Sequence, residues 1–238
     1  MQSSPRVTCM TDPLRPGSDP LPSEAGAVDL LGILAYGALV AFDRLVDDAR
    51  RAPSWAERVH VVRLAAHQVA HFEAVETRLA ALGVDVLAAA APFQRAFDAF
   101  YTHTAPKDWL EGLVWTYVGN GFATDFYREI AAFVDPETRA VVLAVLAEGV
   151  HNDFIVETVR AGITADPKVA GRLALWGRRL VGEALSQAQR VAADRDALTA
   201  LLTGATEDAG MDLAAMSRLF STLIEKHTVR MRTLGLQA

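Results

Sequence analysis

Two pairs of residues carry the strongest chemical suggestion in this chain. Gln68 and His71 lie three apart, as do Glu148 and His151, and residues three apart on a helix share one face. A Glu-x-x-His on each of two helices, with one carboxylate from each of two others, is how helical bundles chelate a pair of iron or manganese ions. The register extends the match, because Ala38 precedes Gln68 by 30 residues and Asn120 precedes Glu148 by 28. Two antiparallel hairpins of similar length require that spacing. The chain reads as two related halves, 38–68–71 and 120–148–151, offset by about 80 residues. A single Glu-x-x-His recurs by chance on wet helices; the doubled register is what singles this one out.

These residues admit three chemistries. His71, Glu148 and His151 are two imidazoles and one carboxylate, the ligand set of mononuclear non-haem iron and of many zinc sites. Without metal, the same three and Tyr117, one turn before Asn120, are candidate acid–base groups around a pocket lined by Ala38, Gln68 and Asn120. The third reading is a satisfied buried polar network in an inert scaffold, since amides donate and accept and a carboxylate accepts from imidazole. His60, His67 and His103 fall off the inner stripes. Tyr36 and Tyr127 read as core aromatics, and Trp109, Trp115 and Trp176 as packing or subunit contacts.

The elements that must position these groups are helices. Leu31, Leu34, Ala35, Ala38, Phe42 and Leu45 recur at three- and four-residue steps, which predicts a first helix from about Val28 to Ala52 with Asp43, Asp47 and Asp48 on other faces. A second runs from the Ser54 cap to Leu82, stopped by Gly83, with Leu64, Gln68, His71, Val75 and Leu79 inward. A short helix with Phe93, Phe97, Phe100 and Tyr101 follows as an apolar lid or bracket. Asp108 with Glu111 reads as a capping box that opens a third long helix to Phe133. Asp135–Pro136 opens a fourth, continuous to Ile163, and Asp166–Pro167 a fifth to about Leu202. Gly204 to Gly210 reads as a loop, and a sixth helix closes the chain over 212–233.

Bulk composition agrees with one all-α domain over 27–238, behind a disordered tail at 1–26. The chain has 238 residues, 51% hydrophobic and 22% charged, enough for one sizeable core. Its lone cysteine, Cys9, excludes a disulfide framework and suits a reducing cytoplasm. No apolar run of about eighteen residues free of charge appears, so no membrane span is expected. The net charge of −6 argues against broad capture of nucleic acid. A local basic patch from Arg178, Arg179, Arg190 and Arg195, joined by Lys226, Arg230 and Arg232, is the remaining route to it. Small residues Gly177, Gly182 and Ala184 suggest close helix approach and a homodimer across the last two helices.

The segments LLGILAYGALVAF, HFEAVETRLAALGVD, DWLEGLVWTYVGNGFATDFYREIAAFVDP and KVAGRLALWGRRLVGEALSQAQRVA resemble the actinobacterial MiaE-like (tRNA hydroxylase-like) family of ferritin-like proteins. The resemblance covers about residues 28 to 235. It implies a ferritin-like four-helix bundle with two additional C-terminal helices and a short helical crossover, and the namesake activity is di-iron hydroxylation of a modified tRNA base. Carried over residue by residue, the family pattern expects Glu where this chain has Ala38, Glu where it has Gln68, and an acidic ligand where it has Asn120, while His71, Glu148 and His151 remain. In such a bundle the two histidines sit at opposite ends of the metal pair, so one ion reaches both only if the helices shift. Two divalent ions bring four positive charges into a low-dielectric interior, which one surviving glutamate does not offset. The expectation is a bundle acting on or binding a small organic molecule with no metal cofactor. The alternatives are non-haem iron, as one ion or as two in a hydroxylase, and an inert or regulatory interaction module.

Overall fold

The computed structural model describes residues 22–147, 152–203 and 213–238. The described chain is an all-α bundle, in agreement with the sequence. Helix α1 (Pro22–Arg51) is its axis and touches α2 (Trp55–Ala81), α3 (Val86–Ala90), α4 (Gln94–His103), α5 (Trp109–Val114), α6 (Asn120–Ile130) and α10 (Asp196–Thr203). The remaining helices are α7 (Pro136–Leu146), α8 (Asn152–Ala165), α9 (Lys168–Asp194) and α11 (Leu213–Thr233). By length and composition α1 is apolar enough to cross a membrane, yet 67% of its apolar window is buried inside the bundle. A helix apolar on nearly all sides is what a central core position demands.

Local signals set most of the ends. Ser54 Oγ accepts from Glu57 N–H at 3.2 Å to start α2. Gly83, at φ +73°, stops it, with Val84 N–H donating to Leu79 O at 2.9 Å. That six-to-one bond defines a Schellman end, and the left-handed φ is the reason for glycine. The carboxylate of Asp135 accepts from the Glu137 and Thr138 amides at the start of α7. The Asp166 carboxylate takes Lys168 N–H in the same way before α9.

Several expectations are corrected. α1 begins at Pro22, because Gly26 lets its first turns lie against Leu201 and the Ala197 carbonyl of α10; residues 22–26 are therefore helix, and 1–21 lie outside the described residues. The third helix is interrupted by a π-helical turn over Trp115–Gly119 between α5 and α6. The fourth is described as α7 and α8 on either side of 148–151. The fifth breaks at Arg195, which leaves helical geometry (φ −135°, ψ 88°) and separates α9 from α10. The expected loop at Gly204–Gly210 lies outside the described residues.

Three apolar clusters fill the interior. One joins the N-terminal half of α1 to α2, α3 and α10 around Phe93, whose ring is fully buried and contributes about 1.5–3 kcal/mol by its burial. A second joins α5, the π-turn and α6 to α8, α9 and α11. The third is Leu45, Ala49, Val61 and Ala65 between α1 and α2. Gly177, expected to serve a dimer, instead takes Met231 of α11 against its Cα, where a Cβ would fall 2.6 Å from the sulfur. The close approach of the last long helices is thus made within one chain.

Buried ion pairs tie the ends together. Asp29 of α1, 2% exposed, accepts two hydrogen bonds from Arg195 at the α9–α10 break. The expected capping box at α5 is half formed: Asp108 accepts from Glu111 N–H at 2.9 Å, but the Glu111 carboxylate takes Lys107 N–H and Arg172. On α1 Asp48, expected off the inner stripe, is 1% exposed, and its neighbour Arg44 is 2% exposed. Arg44 lies over the Tyr101 ring at 4.2 Å, where cation–π attraction replaces part of its hydration. The Asp48 carboxyl is pushed up to about 6 by burial, against the pull of Arg44 and Arg51.

Candidate functional site

A cavity of about 520 Å³ opens where the three clusters meet, within the size range of pockets that take small organic molecules. All five of the described site candidates line it: Ala38 from α1, Gln68 and His71 from α2, Tyr117 from the π-turn and Asn120 from α6. Residues far apart in sequence meet there because α1, α2, the π-turn and α6 pack around the cavity. Glu148 and His151 lie outside the described residues; Leu146, Ala147 and Ile155, on either side of them, line the same cavity.

The π-turn builds one wall. A regular α-helix presents a residue to one side only every third or fourth position, whereas a π-turn admits an extra residue per turn and re-aims the chain. Of the residues from Trp115 to Arg128, only Val118 fails to reach the cavity. Trp115 is fixed by its indole N–H, which donates to Thr104 Oγ1 at 2.9 Å. An adjoining wall includes α4, which contributes Phe97 and Phe100, the latter in ring contact with Trp115 at 5.8 Å. The expected bracket is real in that sense. It is pinned by Tyr36 Oη donating to Asp98 at 2.8 Å and Tyr101 Oη donating to Asp47 at 3.1 Å. Burial and the Asp98 carboxylate together push the Tyr36 phenol up to about 12.

Sequence reasoning missed the charged part of the wall. Among the described residues the fully charged side chains lining the cavity are Asp125, Arg128 and Arg230. Asp125, 5% exposed, accepts from Arg230 Nη2 of α11, with Lys226 Nζ at 3.6 Å and Arg128 Nη1 at 4.0 Å. Arg230 Nη1 is buried and has no hydrogen-bond partner among the described residues. Burial pulls the guanidinium down, while Tyr117 acts in the opposite sense. Burial also pushes the Tyr127 phenol up, so Tyr127 and the amides present neutral dipoles. One signal was available: Arg230 follows the period of Leu223, His227 and Met231, all buried on α11.

The basic patch offered as a route to nucleic acid is partly drawn into internal contacts, while Arg178, Arg179, Arg190 and Arg232 are exposed. Arg195 and Arg230 hold buried carboxylates, Lys226 reaches Glu129 at 3.2 Å, and Arg178 and Arg179 donate to the Gln237 and His103 carbonyls. His60 is exposed and stacks on Phe154 at 4.6 Å, His67 is half-buried, and His103 is exposed and bonded to Glu183. Among the described residues no three His, Cys, Asp or Glu side chains come together in a way that would hold a metal ion.

An axial apolar helix in a surrounding bundle with an interior cavity is the architecture of a ferritin-like protein. The chain belongs to the actinomycete ferritin-like domain family, whose model matches residues 23–205. Among solved structures it is similar to "Protein 19 with aldehyde deformylating oxidase activity" from Synechococcus, with a TM-score of 0.60 at 25% identity, covering 90% of this chain and 95% of that one. No curated protein sequence matches.

Proposed function

We propose that this protein holds a small, largely apolar organic molecule in the bundle cavity and acts on it without a two-metal centre. The observation that carries this reading is that Ala38, Gln68 and Asn120 share that cavity at positions where the tRNA hydroxylase-like pattern has acidic ligands. Alanine offers no donor atom and the amides offer only neutral oxygens. Among the described residues the carboxylate that lines the cavity, Asp125, is already committed to Arg230 and Lys226. A pair of divalent ions would stand beside the Arg230 guanidinium in a low-dielectric interior, which the remaining donors do not offset. The described residues therefore do not fit two metal ions.

The groups left suit proton transfer and orientation of a ligand. His71, Glu148 and His151 are of the residue types that carry general acid–base chemistry, Tyr117 can donate a hydrogen bond, and Gln68 and Asn120 can donate and accept. The likeness to a protein with aldehyde deformylating oxidase activity supports an organic substrate held inside the bundle. His71, Glu148 and His151 are also the set that would hold a single ion, if one is bound.

Metal analysis of protein purified from iron-supplemented cells tests this. At most one ion per chain is expected; about two irons would overturn the reading in favour of the di-iron hydroxylase. Substituting His71→Leu or Glu148→Leu then separates a working pocket from an inert scaffold. The first loses ligand binding with folding intact, and the second gains stability with nothing lost.

A further inference from the structure

Helix α2 is apolar on two faces. Val61, Ala65, Val75 and Leu79 are buried in the bundle. On the outer side Trp55, Val59, Val62, Ala66 and Val69 follow one another at steps of four, three, four and three residues. Trp55, Val62 and Val69 are 76%, 52% and 45% exposed, Ala66 is exposed, and Val59 is half-buried. A surface helix carries polar residues toward water, and valine has no advantage there from helix propensity. Alternation of three and four is instead the spacing of a seam that receives a second helix. Charge reverses along the same face. Arg58 and Arg63 stand toward its N-terminal end, and Glu73 and Glu76 toward its C-terminal end, all four exposed. Arg58 lies over the Trp55 ring at 5.8 Å.

We propose that this face is a homodimer interface, in which α2 packs antiparallel on α2 of a second copy about a two-fold axis near Leu64. Val62 then faces Ala66 of the second copy, and Val59 faces its Val69. Trp55 comes against Glu73 of the second copy, with Arg58 beside the same carboxylate. A two-fold axis repeats every contact, so both ends of the seam gain an opposite-charge pair. Arg63 flanks the axis, and its length lets the guanidinium stay in water. A parallel pair would set Arg58 on Arg58 and Glu73 on Glu73. From Trp55 to Glu73 the seam runs about 27 Å at about 1.5 Å per residue, a small interface of the kind that associates at micromolar concentration. The surface is distinct from the last two helices, whose small residues suggested a dimer, and the inference is independent of what the cavity holds.

Sedimentation equilibrium of the full chain from about 1 to about 200 μM, with reductant so that Cys9 forms no cross-link, is expected to show monomers in equilibrium with dimers. Val62→Arg is expected to weaken association about tenfold or more, because it carries a charge into the seam; circular dichroism checks that it folds. Arg58→Glu and Glu73→Arg, each alone, are expected to weaken it about tenfold by setting like charges at both ends. Mixed in equal amounts, these two variants are expected to associate as the unaltered chain does, since each then meets opposite charges at both ends. Should Val62→Arg fail to fold, the mixing result decides alone, because Arg58 and Glu73 are exposed. A monomer at every concentration overturns the proposal and leaves the face to a different protein or to residues 1–21 of the chain. A dimer indifferent to these substitutions, or charge variants that do not recover on mixing, overturns this face and this orientation.

Discussion

Gly121 of α6 and Arg230 of α11 meet so closely that a Cβ on the glycine would lie 2.3 Å from Arg230 Nε. The absent side chain is the space the guanidinium occupies on its way to Asp125. Gly121→Ala is therefore expected to push the guanidinium aside and weaken its bond to a buried carboxylate. Urea denaturation should show a loss of about 1–3 kcal/mol. Replacing the pair together, Arg230→Met with Asp125→Asn, in the Gly121→Ala background should recover part of it, because both buried charges are then gone.

The Asp48 carboxyl sits against Gly112, and burial raises it from 3.8 to about 6. The sign follows from linkage. A group raised in the folded state contributes stability that is complete below its unfolded value and is lost as pH rises through the folded one. Stability is thus expected to fall between about pH 4 and 6 and then level off, by on the order of 2–3 kcal/mol from this group. Denaturant midpoints across that range should show this component absent in Asp48→Asn.

Two helical glycines should respond oppositely to alanine. At Gly32 of α1 a Cβ would lie 2.2 Å from the Ala89 carbonyl oxygen, part of the α3 backbone, which has no easy way to yield. Gly32→Ala is expected to destabilise by about 2–4 kcal/mol, as overpacking against main chain does. At Gly171 of α9 nothing lies within 4 Å. Gly171→Ala is expected to stabilise by about 0.5–1 kcal/mol through helix propensity alone, read in the same thermal melts.

The break between α9 and α10 is held by Arg195 on Asp29. Arg195→Met leaves that buried carboxylate unmet and is expected to cost about 2–4 kcal/mol, discounted because the arginine is 37% exposed. The double change with Asp29→Asn should recover most of the loss. A double-mutant cycle from chemical denaturation gives the coupling.

How much was legible follows from the range of each interaction. Caps are local, so Ser54, Gly83, Asp135 and Asp166 could be read directly from their neighbours. The inner stripes are nearly local, since a 3.6-residue period fixes which residues share a face. That period brought Ala38, Gln68, His71, Tyr117 and Asn120 to one cavity. The same period is silent on a π-turn, which changes the count of residues per turn without a composition signal of its own. It also misplaced Asp48: an aspartate near an arginine looks the same on a wet face as on a buried one until the packing of α5 is known.

The sequence by itself determined most of the helices, their caps and the neutral residues at 38, 68 and 120, because these depend on residue identity and on contacts within a few residues along the chain. Tertiary structure alone decided that Arg230 leaves the surface to meet Asp125, that Arg195 turns inward to Asp29, and that Gly177 receives Met231. Those partners are brought together only when the helices pack, and whether a charge is solvated or buried is a property of the assembled interior that no local pattern contains.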